Sequence, residues 1–470
     1  MSDDVHRVRR LRWRIRLGSR EEAFTLRPRL AEAVTASIVP ELERTFDALD
    51  TGAEVVHVDR LEVTIQVAGT DALEQDTVAA IRAALTARLE ASTVSDRGPL
   101  PCSVQRATLR SSKLESLRHY LQTGALPWFA EPETPDLDHV RELEETAVSD
   151  MTAVLQRLPA TPAETGVFLF RLLSLLPESA WVSVAHAVAR QRHRQEEPAL
   201  VEAIERIATA PQRSSARHAR LELAAAIIAG WFAPLERDDR RSSPIKTAVS
   251  SDAIRLFDRL ALPTRLAQPI DNRQPSSDLW KGPEEVSSSA GGDAVELRAT
   301  FGLLVFYAGL ALLGPFIPRL LAARNVVHPG EQVLNPEAAR RAAALLYFAA
   351  TGEENGHEYE LGFIKILLGV PIDRPILFAS GILNRGDRDH VESLLIDVVE
   401  HWRVPKHTLS DGLRHAFLQR RGLLSGASSS WHLRVETAPI DALLDQLPWN
   451  LSTIALPWLA RPLTLDWRRS

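Results

Sequence analysis

Three Leu-Pro-Trp tripeptides, Leu126-Pro127-Trp128, Leu447-Pro448-Trp449 and Leu456-Pro457-Trp458, restrict how this chain can fold. Proline fixes φ, removes a backbone donor and pushes the residue before it into extended backbone. The tryptophan that follows buries a large ring whose N–H needs an acceptor. Each tripeptide is therefore expected to make a rigid corner set into a core. If buried, Trp449→Ala and Trp458→Ala are each expected to cost about 3–5 kcal/mol.

At 470 residues the chain can form two to four domains with separate cores. Its formal net charge of −6 gives no electrostatic footprint for nucleic acid. A single cysteine, Cys102, excludes an intrachain disulfide framework. The opening Met1 to Arg7 lacks the apolar core of a secretory signal, so the reading is cytoplasmic when made. From Ala299 to Pro318 no charged residue occurs, a length that could span a bilayer. Gly302, Gly309 and Gly314-Pro315 interrupt it, and a core helix apolar all round has the same pattern. The favoured reading is a buried helix over 297–323, with transient membrane contact through 299–318 as the minority one.

The fold class expected is α+β and predominantly helical. A small β-α-β-α domain occupies 1–95, a helical middle 96–235, a flexible linker 236–295 and a helical C-terminal domain 296–470 that ends in short strands. Leu11, Trp13, Ile15 and Leu17 alternate with arginines, the period of a half-buried strand. Its arginine face is either a binding surface or, as favoured, a solvated face matched by Asp59 and Glu62. A helix from Ser19 to Leu49, a strand over 56–67 bent near Asp59-Arg60, and a helix at 71–91 complete the domain. Helices follow from Leu114 to the first Leu-Pro-Trp and at 137–158, 163–176, 179–194, 198–209 and 216–233. Polar Ser-, Pro- and Gly-rich sequence then cannot offset chain entropy, apart from one short helix at 251–261. Beyond it come helices at 336–350, 360–368, 390–401 and 408–420, a Ser/Gly turn at 425–430, a strand at Trp431 to Val435, a helix at 439–446 and a last strand through Leu463, Leu465 and Trp467.

No nucleophile elbow, phosphate-binding loop, dinucleotide turn or H-E-x-x-H occurs. Glu353 to Glu360 gathers carboxylates around His357, but its spacing fits no cation loop and a solvated surface turn is the favoured reading. His186 and His193 lack a third ligand. The expectation is no catalytic, cofactor or metal site.

Longer motifs carry more. Ser19-Arg20-Glu21-Glu22-Ala23-Phe24, Val39-Pro40-Glu41-Leu42-Glu43-Arg44, Val58-Asp59-Arg60-Leu61-Glu62-Val63 and Tyr120-Leu121-Gln122-Thr123-Gly124-Ala125-Leu126-Pro127-Trp128 stand in the first 130 residues. Gly309 to Leu320, Leu345 to Gly352, Leu367-Leu368-Gly369-Val370-Pro371, His401-Trp402, Leu413 to Gly422, Trp431 to Glu436, the paired Leu-Pro-Trp units and Asp466-Trp467 follow in order. In kind and order these segments resemble the contractile injection system tape measure family, a component of phage-tail-like particles. Thr64-Ile65-Gln66 departs from that family's Asp-Leu-Gly, and the middle third is short and matches little.

The resemblance implies a non-enzymatic structural and assembly protein that helps set the length of inner tube and sheath. Inner tube, baseplate or other tail proteins would be its partners, with several copies per particle as one arrangement. It would be cytoplasmic when made and then lie within the assembled particle. The residues it marks as structural or interaction motif are Trp13, Asp59, Arg60, Leu126, Pro127, Trp128, Trp402, Arg414, Phe417, Arg420, Trp431, Glu436, Leu447, Pro448, Trp449, Leu456, Pro457, Trp458 and Trp467. Rival readings are a folded assembly chaperone or terminal baseplate adaptor and, more weakly, a cargo or toxin. As one helix the chain would reach about 700 Å, but 29 prolines forbid a continuous helix.

Overall fold

In the computed structural model, the residues described are 38–49, 54–58, 73–92, 104–130, 139–159, 161–192, 198–210, 216–231, 251–262, 302–327, 336–376, 381–402, 410–427 and 430–467. Two compact units partition the chain: 1–113 with 132–137, and 114–131 with 138–470.

In the first unit, α1 (Val39–Leu49) and α2 (Leu73–Ser92) alternate with β1 (Glu54–Val58) and β2 (Val104–Thr108). β1 and β2 pair antiparallel, Glu54 opposite Thr108 and Val58 opposite Val104. The sequence reading anticipates α2 and β1 but not β2, whose Val104-Gln105-Arg106-Ala107-Thr108 alternates only weakly. Trp13, Asp59 and Arg60, with the opening strand and the bend near Asp59, lie outside the described residues.

The second unit opens with α3 (Leu109–Thr123, from 114 onward), then β3 (Leu126–Pro127). A helical array follows: α4 (His139–Ser149), α5 (Met151–Leu155), α6 (Pro162–Leu175), α7 (Trp181–Gln191), α8 (Pro198–Ala208), α9 (Ala216–Trp231) and α10 (Ser251–Arg259). Prolines stand at first helical positions because the amide they lack would be unbonded there anyway. At α6 the signature is complete: Thr161 precedes Pro162, and its Oγ1 accepts from Glu164 N while donating to the Glu164 carboxylate. The short helix anticipated at 251–261 is α10, and its Ala253, Leu256 and Phe257 join the array's core.

The remaining elements are β4 (Leu303–Val305), α11 (Ile317–Ala323), α12 (Pro336–Thr351), α13 (Gly362–Leu367), α14 (Arg385–Trp402), α15 (Ser410–Leu413), β5 (Gly422–Ala427), β6 (Ser430–Val435), β7 (Thr453–Ile454) and β8 (Leu463–Asp466). Six strands form one sheet in the order β3-β4-β5-β6-β8-β7, antiparallel except for the β6–β8 pair. The fold is thus α+β and predominantly helical.

Two expectations are corrected here. The apolar stretch is not one helix over 297–323: it supplies β4, a 3-10 turn at Ala308–Leu313 and the short α11. Leu304 belongs to the core of the helical array, while Leu303 and Val305 belong to the core built from the C-terminal elements. A strand buried on both faces is apolar at every position, so its two-residue period vanishes. Among the described residues no helix is long and apolar enough to cross a membrane. The Ser/Gly segment from 425 is likewise strand rather than turn, since β5 runs to Ala427. Gly426 lies opposite Trp431 and Ser425 opposite His432, small residues facing large rings.

Candidate functional site

The motif residues meet inside the second unit, where glycines and lone buried charges fix their geometry. α3 ends at Thr123-Gly124. Gly124 takes φ +74°, its N–H donates to Tyr120 O at 2.7 Å, and Thr123 Oγ1 donates to His119 O at 2.7 Å. This stop turns the chain directly into β3, so Leu126 and Pro127 are buried while Trp128 is half-buried with its edge against Phe129. A β-carbon on Gly124 would stand 2.4 Å from Glu358 Oε1 and 2.6 Å from Arg171 Nη2.

Those two side chains head a buried ionic cluster. Arg171 Nε and Nη2 donate to the two Glu358 oxygens at 2.9 Å each, and Lys365 Nζ donates to Glu358 Oε1 at 2.7 Å. The spare donors go to carbonyls: Arg171 to Leu121 O and Asp373 O, Lys365 to Ile372 O. Arg171 and Lys365 are 0% exposed. Burial pushes the Glu358 carboxyl up, but the adjacent Arg171 and Lys365 outweigh it and hold the group below the usual carboxylate range. The cluster ties α6 of the array to α13 and the 3-10 turn before it. It also supplies the donor for the Leu121 carbonyl at the C-terminal end of α3, where a cation is favoured.

The same device recurs at Thr351-Gly352. Gly352 takes φ +78°, its N–H donates to Phe348 O at 2.8 Å, and Thr351 Oγ1 donates to Tyr347 O at 2.8 Å. Here Arg414, 2% exposed, donates to Ala349 O and Phe348 O and pairs with Glu392 and Asp411. Arg414 opens a π-turn over Arg414–Leu418. Its Phe417 carbonyl lies where a β-carbon on Gly309 would be, 1.8 Å away, so glycine alone fits. Phe417 packs edge-on against buried Trp402, whose Nε1 donates to Leu443 O at 3.2 Å. Arg420 reaches Asp441 at 3.6 Å, and its carbonyl accepts from Ala308 N.

The third Leu-Pro-Trp explains the Leu-Gly-Val-Pro motif. Trp458 is buried and donates to Leu367 O at 2.8 Å, and its own carbonyl sits 2.8 Å from where a Gly369 β-carbon would be. Leu456 is buried while Pro457 is exposed. The second tripeptide differs. Trp449 is half-buried, stacked on His401 at 5.7 Å and 7° and edge-on to Phe316 at 5.1 Å. Its indole nitrogen is buried without an acceptor among the described residues. Leu447 is half-buried and Pro448 exposed. Trp467 donates to Asp441 Oδ2 at 3.1 Å, half-buried Trp431 lies in β6, and exposed Glu436 contributes its backbone N–H to Arg421 O.

Sequence reasoning missed Arg171, Lys365 and Glu358. Arg171 and Lys365 are single charges in apolar runs, Val167-Phe-Leu-Phe-Arg and Ile364-Lys-Ile-Leu-Leu, and that isolation is the signal of a buried, paired charge. Glu358 sits in the loop read as solvated, yet it is buried. Glu360 of the same loop accepts from Tyr307 and Tyr347. Among the described residues no group of three His, Cys, Asp or Glu is placed to hold a metal ion; His193 lies outside them. What this constellation does chemically is lock: fixed charges, paired ions and rings in register.

A family model described as contractile injection system tape measure protein matches residues 5–467. No curated protein and no solved structure matches.

Proposed function

The chain belongs to the family of contractile injection system tape measure proteins, and from that membership we infer how it works as a structural and assembly component of a tail-like particle. The second unit acts folded. It engages inner tube, baseplate or other tail proteins while helping to set tube and sheath length. The observation that supports this is that motif segments from 120–128 and 303–467 build two cores of the second unit, which the buried Arg171–Glu358–Lys365 cluster joins. A chain meant to run as a bare helical thread has no use for such a core. The longest described helix, α2, has 20 residues, about 30 Å of rise.

The role is not enzymatic in this reading. The stretches 1–95, 96–235, 236–295 and 296–470 are proposed as the parts of the chain that assembly uses, the second and fourth acting together through the Arg171–Glu358 pair, and the motif residues named above as its structural and contact positions. Protein made in the cytoplasm then enters the particle. Electron micrographs of particles assembled with and without the chain test this. Absent or length-scattered particles support the reading, whereas normal particles of unchanged length overturn it.

A further inference from the structure

Asn355-Gly356 is the one Asn-Gly pair in the sequence. It stands in the loop between the Gly352 stop of α12 and the 3-10 turn at Glu358–Leu361. Asn355 is exposed, and neither its side-chain amide nor the Gly356 N–H has a partner among the described residues. The other described asparagines differ. Asn384 and Asn450 spend their side-chain oxygens on Asp387 N and Ser452 N, and Asn325 is followed by the branched Val326. Glycine after Asn355 brings no side chain to crowd the amide before it. Packing fixes that glycine, since a β-carbon there would stand 2.4 Å from the Tyr347 ring.

The pair is anchored on both sides. Before it, Glu354 pairs with Arg388 of α14; after it, His357 N donates to Glu360 Oε2 at 2.7 Å. Between these anchors the Asn355 carbonyl accepts from the Tyr347 hydroxyl at 3.2 Å. The residue after His357 is Glu358, the buried carboxylate that Arg171 and Lys365 share. The loop already carries Glu353, Glu354, Glu358 and Glu360. A change of main-chain length or charge at Asn355 therefore acts three residues from the joint between the two cores.

We propose that Asn355 is a site of spontaneous deamidation, and that its product loosens the Arg171–Glu358–Lys365 joint as the chain ages. Asparagine is among the thermolabile residues. The Gly356 nitrogen attacks Asn355 Cγ, the Cγ–Nδ2 bond breaks, and Nδ2 leaves as ammonia with the proton that Gly356 gives up. Water then opens the cyclic imide. Attack at Cγ gives aspartate; attack at the main-chain carbonyl carbon gives isoaspartate, whose backbone runs through Cβ and Cγ. Both products add a carboxylate to an acidic loop. Isoaspartate also lengthens the main chain by one carbon between the Glu354 and His357 anchors, so the spacing that seats Glu358 is lost. The inference concerns the folded unit alone and does not depend on the functional reading.

The test ages the full-length chain in mildly alkaline buffer, with a mildly acidic control, and maps its peptides by mass spectrometry. Conversion at Asn355 should run at least about tenfold faster than at Asn325, Asn384 or Asn450, whose followers all carry side chains. It should be faster in the alkaline sample, because the attacking nitrogen must lose its proton. The urea midpoint of the aged chain should fall, and amide exchange around Arg171 and Lys365 should quicken. Asn355→Gln keeps an exposed amide but closes the imide ring reluctantly. Fresh, its midpoint should match that of the fresh parent; aged, it should hold both midpoint and exchange. Conversion at Asn355 no faster than at the other asparagines overturns the site. Full conversion with unchanged midpoint and exchange overturns its consequence for the joint. So does an equal fall in aged Asn355→Gln, which would trace the loss to another residue.

Discussion

Trp449 and Trp458 share a tripeptide but not an environment, and single substitutions should separate them. Trp458→Phe leaves the Leu367 carbonyl without its donor in a buried site and removes ring volume, a loss of about 2–4 kcal/mol. Trp449→Phe abandons no protein acceptor and keeps both ring contacts, so its change should stay within about 0.5 kcal/mol. Urea unfolding of the two variants checks the contrast; equal losses would mean that the Trp449 nitrogen is bonded after all. The expectation of equal, large costs for the two alanine variants is therefore narrowed to Trp458, because Trp449 is only half-buried. Gly124→Ala combines left-handed backbone with a methyl against an ion pair that has no room to retreat. It should cost at least about 2 kcal/mol by the same measurement.

At the scale of elements, the two Thr-Gly helix stops work as one device used twice, each closed by a buried arginine that satisfies carbonyls of the helix's last turn. Glu358→Gln would leave Arg171 and Lys365 buried without the carboxylate they are hydrogen-bonded to, at a cost of about 3–5 kcal/mol. Chemical denaturation would show it as a lower midpoint at unchanged slope if the unit still unfolds cooperatively. Acid acts on the same joints. Glu358 and buried Asp387, which accepts from Arg324, Arg341 and the backbone of Asn384, both have carboxyl groups held below their ordinary values of 4.5 and 3.8. For Asp387 too, burial pushes upward and those hydrogen bonds outweigh it. A depressed folded value means that the unfolded chain binds protons more readily, so this stability is present above about pH 4.5 and lost as pH falls through the folded values. Midpoints at pH 7 and pH 3 should show that loss in the parent chain, and a smaller loss in Glu358→Gln. Much of this architecture was legible: proline turn signals place the helices of the array within a few residues, and the alternation at Trp431 to Val435 marks β6. β4 was not legible, because burial on both faces erases the period that distinguishes strand from helix. The ionic cluster was half legible: lone charges in apolar runs announce burial, but not that Arg171 will meet a partner 187 residues away.

For the whole molecule, the question is how a folded chain can bear on a length. A 20-residue helix is the longest continuous rod described, and the second unit draws segments from 114 to 467 into one body. If length is read from chain span, the parts to change are 236–250 and 263–295, whose Ser-, Pro- and Gly-rich composition marks a linker on either side of α10. Inserting about 20 residues there adds at most about 70 Å of extended chain, while the locked joints at Gly124, Gly352 and Gly369 stay untouched. A direct ruler then predicts particles longer by a fixed increment, in proportion to the insertion, in the length histogram of electron micrographs. A folded component that caps or seats the tube predicts an unshifted mean. Deleting within α6 or α9 is a poor substitute for this experiment, because Arg171 and the core residues of α9 would go with it and any short particles would report unfolding rather than measurement. The insertion series should therefore be run beside Glu358→Gln. A shift of the mean with insertion length, together with fewer particles but no shift for Glu358→Gln, would assign length to span and assembly competence to the locked core.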